Sequence, residues 1–173
     1  LKDEEAVGVA EQGDDVTVVL DRTPFYAESG GQVGDKGVLN AGETSLLVRD
    51  TKKANGIYLH ECSVAFGSLT VGDEVKACVN RSERLATMRN HSAVHLLQAA
   101  LRDVLGDHVT QAGSYVDDKR ARFDFTHFEA MTPEELETVE RLVNEYILSL
   151  TDIETLELPL EEAKKLGALA LFG

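Results

Sequence analysis

The sequence has few cysteines and no long apolar run, and each absence excludes a class of protein. Cys62 and Cys78, its only cysteines, have neither C-x-x-C spacing nor the density of a disulfide-stabilised secreted domain. They fit two reduced thiols in the cytosol, and their spacing also permits one bridge. No stretch approaches the roughly 20 apolar residues that span a bilayer, and no signal segment opens the chain. We therefore expect a cytoplasmic protein that does not enter a membrane.

Basic residues are also scarce, which bears on nucleic-acid partners. Lys and Arg number 17 against 31 Asp and Glu, so the formal net charge is −14. Such a charge disfavours phosphate binding, which Lys and Arg drive, and we expect no DNA partner. The acidic excess is concentrated in residues 129–163, where Arg141 is the one basic residue. A local basic surface around Arg81, Arg84 and Arg89 is compatible with the composition.

The pattern of apolar residues predicts an α+β protein with two domains. In residues 1–80, short alternating or β-branched runs separated by glycines predict strands, arranged as a small β-barrel or a sandwich. The predicted strands are Asp15–Leu20, Thr44–Arg49, Gly56–Cys62 and Asp73–Asn80. Near Asn80 the apolar period changes from 2 to 3.6. We place the domain boundary there, between residues 1–80 and 81–173.

The second domain is predicted to begin with a long helix that ends at Leu105, before Gly106. A hairpin is expected to follow. Thr132, Pro133 and Glu135 then form the N-cap, the N1 position and the capping box of another helix. The remaining elements expected are a short strand over residues 153–158, a final helical turn over residues 160–166 and an apolar run over residues 168–173.

Two segments contain candidate binding or metal-ligating residues. In Phe25–Gly37, the adjacent glycines Gly30 and Gly31 fit a close backbone approach, but a bulged turn is the simpler interpretation. In the long helix, His91 and His95 are four residues apart and so lie on one side, as two ligands of one metal ion do. A solvated helix face is the alternative. A zinc protease is excluded, because Ser92 stands where H-E-x-x-H needs its glutamate.

Four segments together resemble the editing region of alanyl-tRNA synthetases. They are FYAESGGQVGDKG (residues 25–37), NHSAVHLLQAALRDVLGDHVTQAGSYV (90–116), RFDFTHFEAMTPEEL (122–136) and GALALFG (167–173). Free-standing alanyl-tRNA editing proteins share the Gly-Gly-Gln and H-x-x-x-H elements, but the later segments look more like the synthetase. The resemblance implies a small β-barrel subdomain followed by an α/β editing subdomain. It also implies hydrolysis of the ester that joins serine or glycine wrongly to tRNA(Ala).

The resemblance further implies roles for individual residues. His91 and His95 correspond to two zinc ligands, and the family completes the site with a Cys-x-x-x-His motif that would lie beyond Gly173. We therefore expect a fragment that ends before its metal site is complete. Gln111 corresponds to a glutamine associated with editing. Val94 departs from the family, which often has threonine there. The residues expected to meet substrate or tRNA are Arg84, Arg89, Arg122, Gln32 and Val94.

Three hypotheses about the function remain open at this point. The first is the editing region of a longer synthetase, which binds the acceptor end of tRNA(Ala) and uses zinc. ATP and Mg would serve only an aminoacylation domain that has no counterpart in these residues. The second is a non-catalytic tRNA-binding or scaffold module with surface histidines. The third is a free-standing trans-editing protein, which the first residue, Leu1 rather than methionine, disfavours.

Overall fold

A computed structural model describes residues 1–2, 5–152, 154 and 156–167. Within those residues there are nine strands and three helices. The strands are β1 (Val9–Glu11), β2 (Asp15–Val18), β3 (Gly37–Ala41), β4 (Thr44–Ala54), β5 (Ile57–Phe66), β6 (Ser68–Thr70), β7 (Lys76–Val79), β8 (Gln111–Val116) and β9 (Ala121–Phe125). The helices are α1 (Arg81–Leu105), α2 (Pro133–Leu148) and α3 (Leu160–Lys165). This arrangement confirms the α+β class, and none of these described helices is long and apolar enough to cross a membrane.

The chain forms two compact units. The first unit comprises Leu1–His91 and Tyr115–Ala121, and the second comprises Ser92–Ser114 and Arg122–Gly173. Helix α1 and the β8–β9 hairpin each contribute residues to both units. The domain limits predicted from the sequence, 1–80 and 81–173, stay a prediction.

The first unit is built on an antiparallel sheet of five strands in the order β2-β5-β4-β3-β7. Strands β1 and β6 pair in a separate two-stranded sheet. Strands β2 and β7 lie at the two edges of the larger sheet, and they do not pair with each other in the described part of the chain. Hydrogen bonds therefore do not close this sheet into the small β-barrel that the sequence suggested.

A bulge in the middle of β4 decides which of its side chains face the core. Leu46 and Val48 alternate inward and are fully buried, as strand geometry requires. The register against β5 then shifts between Val48 and Asp50. An extra residue in one strand reverses the alternation that follows it. As a result Thr51, and not Asp50, is fully buried.

The second unit has its own apolar core, formed by Ala100 and Leu101 of α1, Val109 and Val139 of α2. Helix α2 begins with the predicted capping box. The Thr132 hydroxyl accepts from the Glu135 backbone N–H at 3.2 Å, and the Glu135 carboxylate accepts from the Thr132 N–H at 2.8 Å. The phenol of Tyr146 donates to Asp103 at 2.5 Å and so links α2 to α1.

Most predicted elements are confirmed, with three omissions. Strands β1, β3 and β6 were not predicted. The predicted stop at Gly106 coincides with a positive φ of 108° after α1, and Gly167, which follows the predicted turn 160–166, has a φ of 86°. The predicted strand over 153–158 is wrong at its described residues, 154 and 156–158, which lie in no strand. Ile153, Thr155 and the apolar run 168–173 lie outside the described residues.

Candidate functional site

The Gly-Gly-Gln segment forms a tight turn. The backbones of Ser29 and Gln32 exchange two hydrogen bonds of 3.1 and 3.0 Å. Between them, Gly30 and Gly31 have φ values of 58° and 80°. Positive φ at both central positions is the requirement of a type I′ turn, and glycine meets it without steric cost. The turn interpretation of the two glycines is therefore confirmed, and the turn directs Gln32 away from solvent.

Backbone contacts from β8 hold this turn in place within the first unit. Val116 donates its N–H to the carbonyl of Gly31 at 2.8 Å and accepts from Val33 at 3.0 Å. Gln32 and Val116 thereby form an isolated parallel bridge. The side chain of Gln32 is buried, with 7% of its surface exposed. Its Oε1 lies 2.6 Å from Nδ1 of His91. The Gly-Gly-Gln motif and the first histidine of the H-x-x-x-H motif are therefore in direct contact.

The same loop is held to α1 by an ion pair whose carboxylate is buried. Asp35 is 7% exposed and accepts from the Tyr26 N–H at 2.5 Å. Arg84 donates to the Asp35 carboxylate through Nε, at 2.7 and 2.9 Å, and through a terminal nitrogen. That nitrogen also donates to the Pro24 carbonyl at 2.9 Å. The hydrogen bond to Asp35 raises the pKa of Arg84 above its ordinary value. These contacts give Arg84 a structural function in addition to the predicted contact with tRNA.

Gly34 lies where the loop meets β4. A Cβ atom at this position would stand 2.2 Å from the carbonyl oxygen of Thr51, so no other residue fits without a backbone shift. The Thr51 hydroxyl donates to the carbonyl of Asp35 at 2.9 Å, and the Thr51 carbonyl accepts from Glu28 at 2.8 Å. The loop that carries Gln32 is thus fixed against the sheet as well as against α1.

The two histidines belong to one continuous helix. Residues four apart lie on the same side of a helix, so α1 presents both imidazoles in one direction. His91 is half-buried and His95 is exposed. Val94, between them, is buried, with 6% of its surface exposed. Its side chain therefore packs inside the protein.

The chemistry of His91 fits a metal ligand. Histidines that bind a metal through one ring nitrogen usually donate the other N–H to an oxygen acceptor, which sets the tautomer and orients the ring. The Oε1 of Gln32 is such an acceptor at Nδ1 of His91. Across the described residues, however, no group of three or more His, Cys, Asp or Glu side chains is arranged to hold a metal ion. The contact with Gln32 thus fits His91 as one ligand. That His91 and His95 share a zinc ion, which in a protein generally has four ligands, stays a prediction.

The other predicted residues have varied surroundings. Gln111, at the start of β8, is half-buried and donates from Nε2 to the Ser114 hydroxyl at 3.0 Å. Arg89 is exposed on α1. Arg122 is exposed and lies 3.2 Å from the carboxylate of Asp124. The predicted roles of these residues stay predictions.

Among the buried polar residues that sequence reasoning missed, Asp35 and Gln98 bear most on this site. Asp35 holds the loop through Arg84, and the only signal in the sequence was an acid three residues after Gln32. Gln98 is 8% exposed, and its Nε2 has no hydrogen-bond partner among the described residues. Because Gln98 follows His95 by three residues, it shares the side of α1 that carries the histidines. Its burial indicates that this side is not simply a solvated face.

Comparisons with known proteins identify the family. Residues 1–83 match the family model described as tRNA synthetases class II (A). The whole chain is 55% identical, over 174 aligned residues, to the alanine–tRNA ligase of Acetivibrio thermocellus. Alanine–tRNA ligases of Pseudomonas fluorescens and Pseudomonas entomophila are 54% and 52% identical over 99% of the chain. The chain belongs to the alanine–tRNA ligase family. It spans about one fifth of the length of these ligases, 20% in each case.

Proposed function

We propose that this chain is the editing region of an alanine–tRNA ligase and hydrolyses the ester of tRNA(Ala) mischarged with serine or glycine. The observation that carries the proposal is the 2.6 Å contact between Gln32 and His91. These residues come from the two motifs that also mark free-standing alanyl-tRNA editing proteins, and they are 59 positions apart in sequence. A contact between the two motifs supports a common site.

The need for such a site follows from the limits of amino-acid recognition. A pocket built for alanine discriminates weakly against glycine, because one missing methyl group is worth only about 1–3 kcal/mol. An apolar pocket also discriminates only weakly against serine, which differs from alanine by an added hydroxyl group. A second, hydrolytic site removes the errors that the first site makes. The substrate is therefore an aminoacyl ester at the acceptor end of tRNA.

In this proposal His91 and His95 hold a zinc ion, with further ligands from the Cys-x-x-x-His motif expected beyond residue 173. When bound, zinc supplies a Lewis acid that polarises the ester carbonyl or a water molecule. Gln32 orients His91. Gln111 positions the substrate or the attacking water through its amide.

Exposed basic residues account for the tRNA contact in this proposal. Arg89 and Arg122 present guanidinium groups near the surface, and guanidinium groups bind phosphate in a bidentate manner. Arg84 supports the site chiefly by holding Asp35. Val94 is buried beside the histidines in sequence, so we expect it to shape the pocket wall and not to donate a hydrogen bond. ATP and Mg would act elsewhere in a longer ligase, in the cytoplasm.

The test measures deacylation of Ser-tRNA(Ala) by the full-length ligase in which we propose that this region lies. We expect His91→Ala to lower the rate at least about 100-fold, because metal polarisation is worth several kcal/mol and about 1.4 kcal/mol corresponds to tenfold. The matched control is His127→Ala, whose ring contacts His108 at 2.9 Å in the second unit. It should leave the rate unchanged. Full activity of His91→Ala would refute the metal-dependent mechanism.

A non-catalytic tRNA-binding module is the second candidate. It is favoured by the lack, among the residues that the structure describes, of a third metal-binding side chain near the histidines. The same assay separates the candidates, since a scaffold binds tRNA(Ala) in a filter assay but leaves Ser-tRNA(Ala) intact even in the full-length enzyme.

A further inference from the structure

Gln32 has the features of a residue that controls the state of a neighbouring ring. Its side chain is buried, and Oε1 lies 2.6 Å from Nδ1 of His91. An amide oxygen only accepts hydrogen bonds, so Nδ1 must carry the proton. In a neutral imidazole the lone pair is then on Nε2. The contact therefore selects one of the two tautomers of His91.

The backbone supports this contact independently of the side chain. The turn at Gly30 and Gly31 and the two hydrogen bonds to Val116 use main-chain atoms only. They fix where the Cα of Gln32 lies. A change of the side chain at position 32 therefore alters the partner of His91 and leaves the turn intact. This separation makes the role of the side chain testable.

We propose that Gln32 is a positioning residue that holds His91 in the Nδ1–H tautomer, with Nε2 directed to bind zinc. This inference rests on the proposed function for the identity of the metal. The amide is neutral, so it fixes the ring without adding negative charge next to a ligand. A carboxylate at the same position would also accept from Nδ1–H and would make the imidazole a stronger donor to metal. Gln32→Glu is therefore the conservative variant, and Gln32→Leu removes the acceptor.

The first experiment reads the tautomer directly in the 173-residue chain. Long-range ¹H–¹⁵N correlation spectra at pH 8, where imidazole is ordinarily neutral, distinguish a protonated Nδ1 from a protonated Nε2. We expect Nδ1–H at His91 in the wild type and in Gln32→Glu, and a shift toward Nε2–H in Gln32→Leu. The matched control is Gln12→Leu, which changes an exposed glutamine outside the Gly-Gly-Gln motif. A wild-type His91 protonated at Nε2, or an unchanged tautomer in Gln32→Leu, overturns the inference.

The second experiment measures zinc affinity in the full-length ligase by competition with a chromophoric chelator. Loss of a partner that orients a metal ligand typically weakens metal binding about 10- to 100-fold. We expect that loss in Gln32→Leu, none in Gln12→Leu, and binding equal to or tighter than wild type in Gln32→Glu. Thermal melts of the three variants check that each remains folded. Wild-type affinity in Gln32→Leu, or no zinc in the wild type, overturns the inference.

The two experiments also separate this inference from the proposed function. If the tautomer and the zinc affinity respond as expected while the wild-type ligase leaves Ser-tRNA(Ala) intact, the editing proposal fails and the role of Gln32 stands. If Ser-tRNA(Ala) is hydrolysed while neither the tautomer nor the zinc affinity responds to Gln32→Leu, the role of Gln32 fails and editing stands.

Discussion

Replacing Arg84 with leucine removes the partner of a buried carboxylate. Asp35 is 7% exposed, and the side chain of Arg84 is 30% exposed. Stranding one member of a fully buried ion pair costs about 3–5 kcal/mol, whereas exposed pairs contribute about 0–1 kcal/mol. Asp35 keeps its hydrogen bond from the Tyr26 N–H. We therefore expect Arg84→Leu to lower the free energy of unfolding by about 2–3 kcal/mol, between these limits.

A double-mutant cycle tests the reason for this loss. Asp35→Asn retains an acceptor for the Tyr26 N–H but carries no charge. In the Asp35→Asn background, Arg84→Leu should lower the free energy of unfolding by less than it does in the wild type. The coupling energy between the two substitutions should be at least about 1 kcal/mol. Because the chain has no tryptophan, unfolding in urea is best followed by far-UV circular dichroism. The control is Lys52→Met, which breaks an exposed pair with Glu61 and should change stability by less than about 1 kcal/mol. A loss of under about 0.5 kcal/mol in Arg84→Leu, or additive effects in the cycle, would refute the reasoning.

Three further predictions follow from buried groups of the first unit. Gly34→Ala puts a Cβ 2.2 Å from the Thr51 carbonyl oxygen and should lower the free energy of unfolding in urea by at least about 1–3 kcal/mol. The control is Gly8→Ala, because a Cβ there has nothing within 4 Å. Equal losses in the two variants would contradict the steric argument. Burial lowers the pKa of His60 in the folded chain. Below the ordinary histidine pKa of about 6.5, the unfolded chain therefore binds more protons than the folded chain does. Stability should be level above that pH and fall by up to about 1.4 kcal/mol per unit below it, and His60→Gln should lack this slope. Burial also raises the pKa of the Cys62 thiol to about 12. A thiol-specific disulfide reagent at pH 8 should therefore modify half-buried Cys78 well before Cys62, and equal rates would contradict this.

Local signals in the sequence were sufficient to predict an element where the residues that determine it lie within or next to that element. Helix α2 was predicted from Thr132, Pro133 and Glu135, because capping acts within one helical turn. Strand β3 was missed because Gly37–Ala41 contains only Val38 and Leu39 as large apolar residues and stands among glycines. Its strand conformation comes from pairing with β4 and β7, which no local pattern encodes.

The candidate site was predicted as separate motifs and not as an arrangement. The contact of Gln32 with substrate or tRNA stays a prediction, whereas the contact of its buried amide with His91, 59 residues away, was not predicted. The spacing of residues along the chain does not predict a contact between residues so far apart in sequence. Likewise Thr51 is buried because of a bulge in β4, and strict alternation from Val48 would have put Asp50 inward. Tertiary pairing decided both outcomes.

The role of His91 and His95 as metal ligands is tested most directly by the zinc content per chain of the full-length ligase, measured by elemental analysis after exhaustive dialysis. We predict about one zinc per chain in the wild type, as a single four-ligand site requires, and its loss in both His91→Ala and His95→Ala. The control His127→Ala should keep the metal. Zinc retained at the wild-type level in both variants would contradict the proposed site and leave the two histidines without a part in editing.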